Sequence, residues 1–478
     1  MRIIFSIRLI PLLFICLTTT VSTAQDNQNN FDSLLRRLNA LEAEQAKSQQ
    51  TIKALRSEIK TLRTENKAIR TETKYEQLNE QKTRTIPTSE TEIPADDLSL
   101  ESPSASPAQR GGAIFPELAN ESQFVFRTES GDFSLGIDGT IIGRYEVNRR
   151  KDDGTGSSNT DQGFQITGTR INFKGDMYDD YAYWVRLNAD DFGDPIVDAV
   201  MGLYKISENT SIVFGQFPST LIREQSIPAD KLQVGESSPT NYTFDPFGYK
   251  GIMLGHHTPR MVFRGIINDG YRSTNNAFFD EPSAKWAFAG QVSGLAVGDE
   301  NDWERFNNFT SRPGDDFAWL LNGAFHVQEG DSHGSGDTGS DDMFLGVVES
   351  SMEGNGWNLY GSGYYRQTDL EESGSVADLG FVLQGGVWVA ERVEVYSRFD
   401  ITIPDSDRLT EGNEFKTLTA GFNFYPFPHT DNIRLNFECL YMFDSESGSI
   451  VEPNVYSSVR ESPLGDQVVG RVSAVIRW

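Results

Sequence analysis

Residues 470–478 read GRVSAVIRW, and the period of this stretch decides the fold. Gly470, Val472, Ala474, Ile476 and Trp478 share one face. Arg471, Ser473 and Arg477 share the other, where Val475 is the only apolar member. A period of two belongs to a β-strand, whose successive side chains point to opposite faces. Terminal segments fray unless something ties them down, so this strand is expected to be paired along its length. Its apolar face meets either a protein core or lipid.

The same alternation recurs upstream. FSLGIDGTIIGRYE sets Leu135, Ile137, Gly139, Ile141 and Tyr145 against Asp138, Thr140 and Arg144. YAYWVRLN sets Tyr181, Tyr183, Val185 and Leu187 against Arg186 and Asn188. RVEVYSRFDI opposes Val393, Val395, Phe399 and Ile401 to Glu394, Tyr396, Arg398 and Asp400. NIRLNFECLYM opposes Ile433, Leu435, Phe437 and Tyr441 to Arg434, Asn436 and Glu438. Alternation alone also fits a β-sandwich, which buries the apolar side and exposes the charges.

Two features favour a membrane barrel. Sixteen candidate strands start near 133, 163, 181, 197, 210, 249, 261, 285, 317, 342, 356, 377, 392, 414, 431 and 466. Their connections alternate between long polar stretches, such as EGDSHGSGDTGSDD, and tight ones, such as ISEN, HTPR and AER. Short turns on one rim, long loops on the other and an even strand number characterise outer-membrane barrels. GLAVGDENDWERFNNFTSRPGDDF, near 294–317, breaks the rule by falling on the short-turn rim, so the count is open there by one hairpin. Aromatics also crowd the ends of the apolar faces, at Tyr145, Tyr181, Tyr441 and Trp478, where interfacial girdles belong. The fold expected is all-β: a 16-stranded antiparallel transmembrane barrel over 121–478, with Trp478 at an interface and the last strand closing onto the first.

Composition agrees. The chain has 478 residues, 43 glycines, 11% aromatics and a mean hydropathy of -0.44. Its formal charge of -27 argues against a nucleic-acid partner, because phosphate binding requires clustered Lys and Arg. Residues 1–24 read as a secretory signal peptide, with Arg2 and Arg8, an apolar run interrupted by Pro11, and small residues at Ser22 and Ala24. Its removal leaves Cys439 as the only cysteine, without a disulfide partner. Residues 28–75 show a heptad repeat, with Leu34, Leu41, Leu55, Leu62 and Ile69 at one position and Leu38, Ile52 and Ile59 at the other. The pattern predicts an α-helical coiled-coil extension of three or four chains, a single solvated helix being the alternative. Residues 76–120 are a linker rich in Pro, Ser and Thr.

The barrel resembles the phosphate-selective porin O and P family. The residues that carry the resemblance are Gly215-Gln216-Phe217 at a strand end, Arg223-Glu224 in the following loop, Gly248-Tyr249-Lys250-Gly251-Ile252-Met253-Leu254, and Gly265-Ile266-Ile267-Asn268-Asp269-Gly270. The resemblance implies a homotrimer, and a loop over 218–248 that folds into the pore and constricts it, with Arg223, Glu224 and Lys231 at the constriction. It also implies anion selectivity from basic residues there and along the wall. Two departures stand against it. Pro218-Ser219-Thr220-Leu221 replaces the usual Lys-x-Pro-Phe continuation. Fifteen basic and 14 acidic residues fall in 1–111, leaving 27 basic against 55 acidic in 112–478.

Strand parity makes Arg144, Arg170, Arg186, Arg264, Arg398, Arg434 and Arg471 inward-facing candidates for the pore lining. They form either a charge ladder that sets selectivity or braces paired with lumen carboxylates. No catalytic, metal or cofactor site is expected. The adjacent His256 and His257 point to opposite faces, and GSGDTG at 334–339 lacks strand-turn-helix context. The function expected is passive diffusion of small hydrophilic solutes or ions, including anions such as phosphate, through an outer-membrane porin. The partners expected are membrane lipid and, through a periplasmic coiled coil, the cell wall. The rival readings are a plugged barrel that tethers the envelope, and a secreted sandwich or β-helix enzyme acting on polysaccharide.

Overall fold

The computed structural model describes residues 124–478 apart from 152–159, 190–195, 274–283, 331–340, 371–373, 409–411, 429, 455–456 and 461–464. The expected signal peptide, coiled coil and linker, and the start of the barrel at 121, lie outside the described residues.

A short strand, β1 (Phe124–Arg127), precedes sixteen longer ones. These are β2 (Ser134–Arg149), β3 (Thr160–Met177), β4 (Tyr181–Ala189), β5 (Ile196–Ser207), β6 (Thr210–Pro218), β7 (Gly248–His257), β8 (Met261–Asn268) and β9 (Trp286–Val297). They continue as β10 (Ala318–Glu329), β11 (Asp342–Gly354), β12 (Trp357–Leu370), β13 (Gly374–Ala390), β14 (Val393–Ile403), β15 (Phe415–Phe424), β16 (Ile433–Met442) and β17 (Gln467–Arg477). Each pairs antiparallel with the next, and β17 pairs with β2 to close the ring. At that seam Trp478 and Gly139 exchange backbone hydrogen bonds of 3.1 Å in both directions. The indole lies over Gly139, where a Cβ would sit 2.3 Å from the ring. β1 pairs with the stretch of β2 just beyond, from Phe124 against Ile137 to Arg127 against Ser134.

The faces answer the question left by the sequence. On β17, Val472 and Ile476 are each 44% exposed on the outside, while Arg471 and Ser473 are 2% and 1% exposed within. On β14, Phe399 is exposed and Arg398, Asp400 and Thr402 are buried. This apolar-out, polar-in arrangement reverses that of a water-soluble sandwich. A closed barrel also satisfies its backbone internally, as lipid requires. Outward aromatics pair at both rims. Phe133 with Tyr178 and Tyr181 with Tyr204, each at 5.0 Å, and Phe317 with Trp357 at 6.0 Å mark the short-turn rim. Tyr145 with Phe164 at 4.9 Å and Tyr441 with Phe443 at 4.7 Å mark the long-loop rim. On β12, Trp357 to Tyr365 spans about 26 Å of strand at ~3.3 Å per residue. A tilt of about 40° leaves about 20 Å between the girdles, close to the apolar band of such barrels.

The stretch near 294–317 hides no hairpin. It is a 3₁₀ helix, Glu300–Asn307, followed by an extended segment that turns into the lumen. Phe306 and Phe309 are buried there. Asp299 and Asp302 form a capping box that starts the helix.

Candidate functional site

The connection between β6 and β7, residues 218–248, is almost wholly buried. Connecting segments normally run over the surface because their backbone groups need partners. This one finds its partners inside the barrel. Leu221, Ile222, Ile227, Leu232 and Phe244 join one apolar cluster with Trp184, Met201, Val213, Met253, Tyr360 and Val382 of the inner wall. Two short helices give the loop its shape, α1 (Arg223–Ser226) and α2 (Pro239–Phe244). Ser238 caps α2 by accepting from the Asn241 N–H at 2.9 Å, and Pro239 fits the first turn, where no N–H is needed. Inward glycines of β13 make room for the loop. A Cβ on Gly380 would lie 2.6 Å from the Phe244 ring, and one on Gly386 would lie 2.1 Å from Gln233. The loop leaves through Phe247, held at φ 61° beneath the guanidinium of Arg272, which lies 4.5 Å above its ring.

Polar clamps fix the loop to the opposite wall. Arg398 donates to Glu224 Oε1 and to the Glu236 carbonyl, both at 2.9 Å. Glu236 also pairs with Arg144. Wall carboxylates accept from the loop in turn: Glu438 from Gly235 N–H at 3.0 Å, Glu394 from Gln233 Nε2 at 2.7 Å and Asp400 from Thr240 Oγ1 at 3.0 Å. Arg434 donates to the Leu232 carbonyl. Burial lowers the affinity of Arg223 and Lys231 for their protons and raises that of Glu236. Burial also pushes the Asp245 carboxyl up to about 7.

Arg223 and Glu224 therefore sit in the loop core, each bonded on several sides. Lys231 ends a 3₁₀ turn, Ala229–Lys231, and is half-buried. Of the wall arginines, Arg144, Arg186, Arg398 and Arg471 pair with Glu146 and Glu236, Asp198, Glu224, and Glu438 respectively. Arg264 donates to Gln291 Oε1 at 2.6 Å. Arg170 is half-buried, and its side chain makes no hydrogen bond or ion pair among the described residues. Gln165, Asn172 and Asn188 also keep part of their surface accessible on β3 and β4. Strand parity turns them, with Arg170, toward the lumen on that wall.

Sequence reasoning passed over Glu349 and Glu353, wall carboxylates that receive the loop, and the glycines of β13, and it set Glu394 on the inner face without giving it a role. Strand parity places all of them inward, but nothing local distinguishes a carboxylate that holds a loop from one that meets water.

No protein-family model matches the chain, and no curated protein matches it. Solved structures do. The outer-membrane expressed OmpT of Vibrio cholerae is 12% identical, covers 74% of this chain and 100% of its own, and has a TM-score of 0.48. The outer membrane channel DcaP of Acinetobacter baumannii is 10% identical over 75% and 100%, with a TM-score of 0.48. An anion-selective porin from Comamonas acidovorans is 10% identical over 72% and 99%, with a TM-score of 0.47. Likeness at this level concerns the fold, and the functional argument rests on the lumen itself.

Proposed function

We propose that the chain is a bacterial outer-membrane porin, trimeric, in which small hydrophilic solutes diffuse past the 218–248 loop. The observation that carries this is the inverted barrel with a polar lumen crossed by a loop clamped to its far wall. A wall that merely sealed itself would have no use for accessible Gln165, Arg170, Asn172 and Asn188 beside that loop. The pore catalyses nothing; its action is steric sieving tuned by charge.

Selectivity follows from which charges remain unspent. Arg144, Arg186, Arg398 and Arg471 brace carboxylates and Arg434 holds the Leu232 carbonyl, so the ladder implied by the phosphate-selective resemblance reduces to a group centred on Arg170. We assign a modest preference for small anions, phosphate among them, to that group. The test is the reversal potential of the purified protein in a planar bilayer under a salt gradient. Anion preference that collapses in Arg170→Ala supports the assignment. Cation preference, or anion preference untouched by the substitution, removes it and keeps the porin.

A second reading has its own support. The loop and the inward segment after β9 meet inside the lumen, which suits a barrel that tethers the envelope through its amino-terminal extension. Absent conductance with intact cell-wall binding would select that reading.

A further inference from the structure

Six of the seven short-turn-rim connections between β3 and β17 need between two and eight residues. The seventh, 298–317, is longer and enters the lumen, although closing the barrel does not demand it. Its residues meet the 218–248 loop, which enters from the other rim. Arg223 Nη2 donates to the carbonyls of Phe306 at 3.0 Å and Asn308 at 2.6 Å, and pairs with Glu353 at 3.1 Å. Its guanidinium lies 4.2 Å above the Phe309 ring, which in turn packs on Tyr360 at 4.9 Å. A second joint runs through Glu394, which accepts from Gln233 of the loop and from Thr310 of the insert, both at 2.7 Å. Trp388 Nε1 donates to Thr310 Oγ1 at 3.1 Å and holds that joint to the wall.

We propose that these two inserts form a two-part gate, in which the 298–317 segment latches the constriction loop through Arg223. The loop's apolar side is committed to the wall, with Phe309 of the insert added to the same cluster, and its polar contacts with the insert pass through Arg223 and Gln233. The latch is also incompletely satisfied: Arg223 Nε and Nη1 have no hydrogen-bond partner among the described residues. A buried cation with unmet donors keeps part of its desolvation cost. Moving the insert away exchanges two carbonyl bonds for water and lets water reach the unmet donors, which lowers the cost separating the latched from the released state. Small forces on the short-turn rim then shift their populations.

The proposal rests on the porin reading for its conductance consequence but not for the latch itself, and the test separates the two. Full-length protein is compared with Phe309→Ala/Thr310→Ala, which alters only the insert, with Arg223→Ala, and with the combination. Folding is verified by heat-modifiable electrophoretic mobility. The first readout is hydrogen exchange of the 221–226 amides, which requires no conduction. The second is the frequency of high-conductance states in a planar bilayer. The latch predicts that the insert variant speeds exchange of the loop amides by about tenfold or more. It also predicts that the combination adds little beyond either change alone. Unchanged loop exchange in the insert variant, or full additivity, overturns the latch. Faster exchange in a protein that never conducts upholds the latch and overturns the porin reading instead.

Discussion

Glu224→Ala tests the clamp that holds the loop across the lumen. The carboxylate accepts from Arg398 Nη1 and the Ser238 N–H at 2.9 Å each, and from Asn241 Nδ2. Both partners of the ion pair are 1% exposed. Removing the carboxylate leaves a buried guanidinium whose remaining carboxylate neighbour, Asp400, is 3.8 Å from Nε. Orphaning one member of a buried pair costs about 3–5 kcal/mol, and Asp400 holds the figure near the lower end. At about 1.4 kcal/mol per tenfold, that favours a displaced loop by about 10²-fold or more. Single-channel recording should show high-conductance states that are rare in the parent becoming frequent, with the barrel still heat-modifiable on gels. Glu224→Leu combined with Arg398→Met replaces the pair with packed apolar groups and should return the record toward the parent. Identical conductance and noise in parent and Glu224→Ala would refute the idea that this pair holds the constriction.

Three further outcomes follow from the same geometry. Gly380→Val forces a side chain into Phe244 and Thr240 Cγ2, 2.6 and 2.8 Å from the Cβ position; overpacking of about 1–3 kcal/mol should loosen α2 and speed exchange at 239–244. Gly143→Val, with open space around its Cβ, is the control, and equal exchange in both variants would sink the notch interpretation. Asp245 has a carboxyl raised to about 7 by burial. A raised acid favours the buried loop below its ordinary range near 4 and loses that contribution as pH rises through about 7. Proteolysis of the loop should therefore be slower at pH 5 than at pH 9, with the difference shrinking in Asp245→Asn; a flat profile in the parent would contradict this. Cys439, exposed on the outer face of β16, should react in liposomes with an apolar maleimide and resist a charged methanethiosulfonate. Rapid labelling by the charged reagent would place that face in water and undo the membrane reading.

The barrel was legible because its two solvents impose the period independently on every strand. Lipid outside and polar lumen inside made RVEVYSRFDI and GRVSAVIRW readable without knowing their neighbours, and strand starts near 181, 210, 261 and 342 coincide with those found. The lumen was less legible because its bonds join distant residues. Arg223 N–H meets Glu349 across 126 positions, and Gly235 N–H meets Glu438 across 203. Local pattern cannot encode such partners. Entry of the loop came from the family resemblance, and the anomaly near 294–317 was visible only as a connection too long for its rim. Phe306 and Phe309 inside that acidic run were the available sign that it would bury itself.

The same pairing changes what the chain's acidity means. Net charge bears on solubility and long-range attraction, and 55 acidic against 27 basic residues in 112–478 would suggest a cation pore. Yet Glu224, Glu236, Glu353, Asp378 and Glu438 each face a guanidinium inside the barrel. Glu349, Glu394 and Asp400 take donors from the loop. These carboxylates are spent on holding the constriction and contribute little field to a passing ion. In the proposed porin the ion would meet the few groups that are not so engaged, Arg170 first among them. On the proposed reading, selectivity in this barrel is set by the charges left over after the loop has been fastened, not by the sum along the chain.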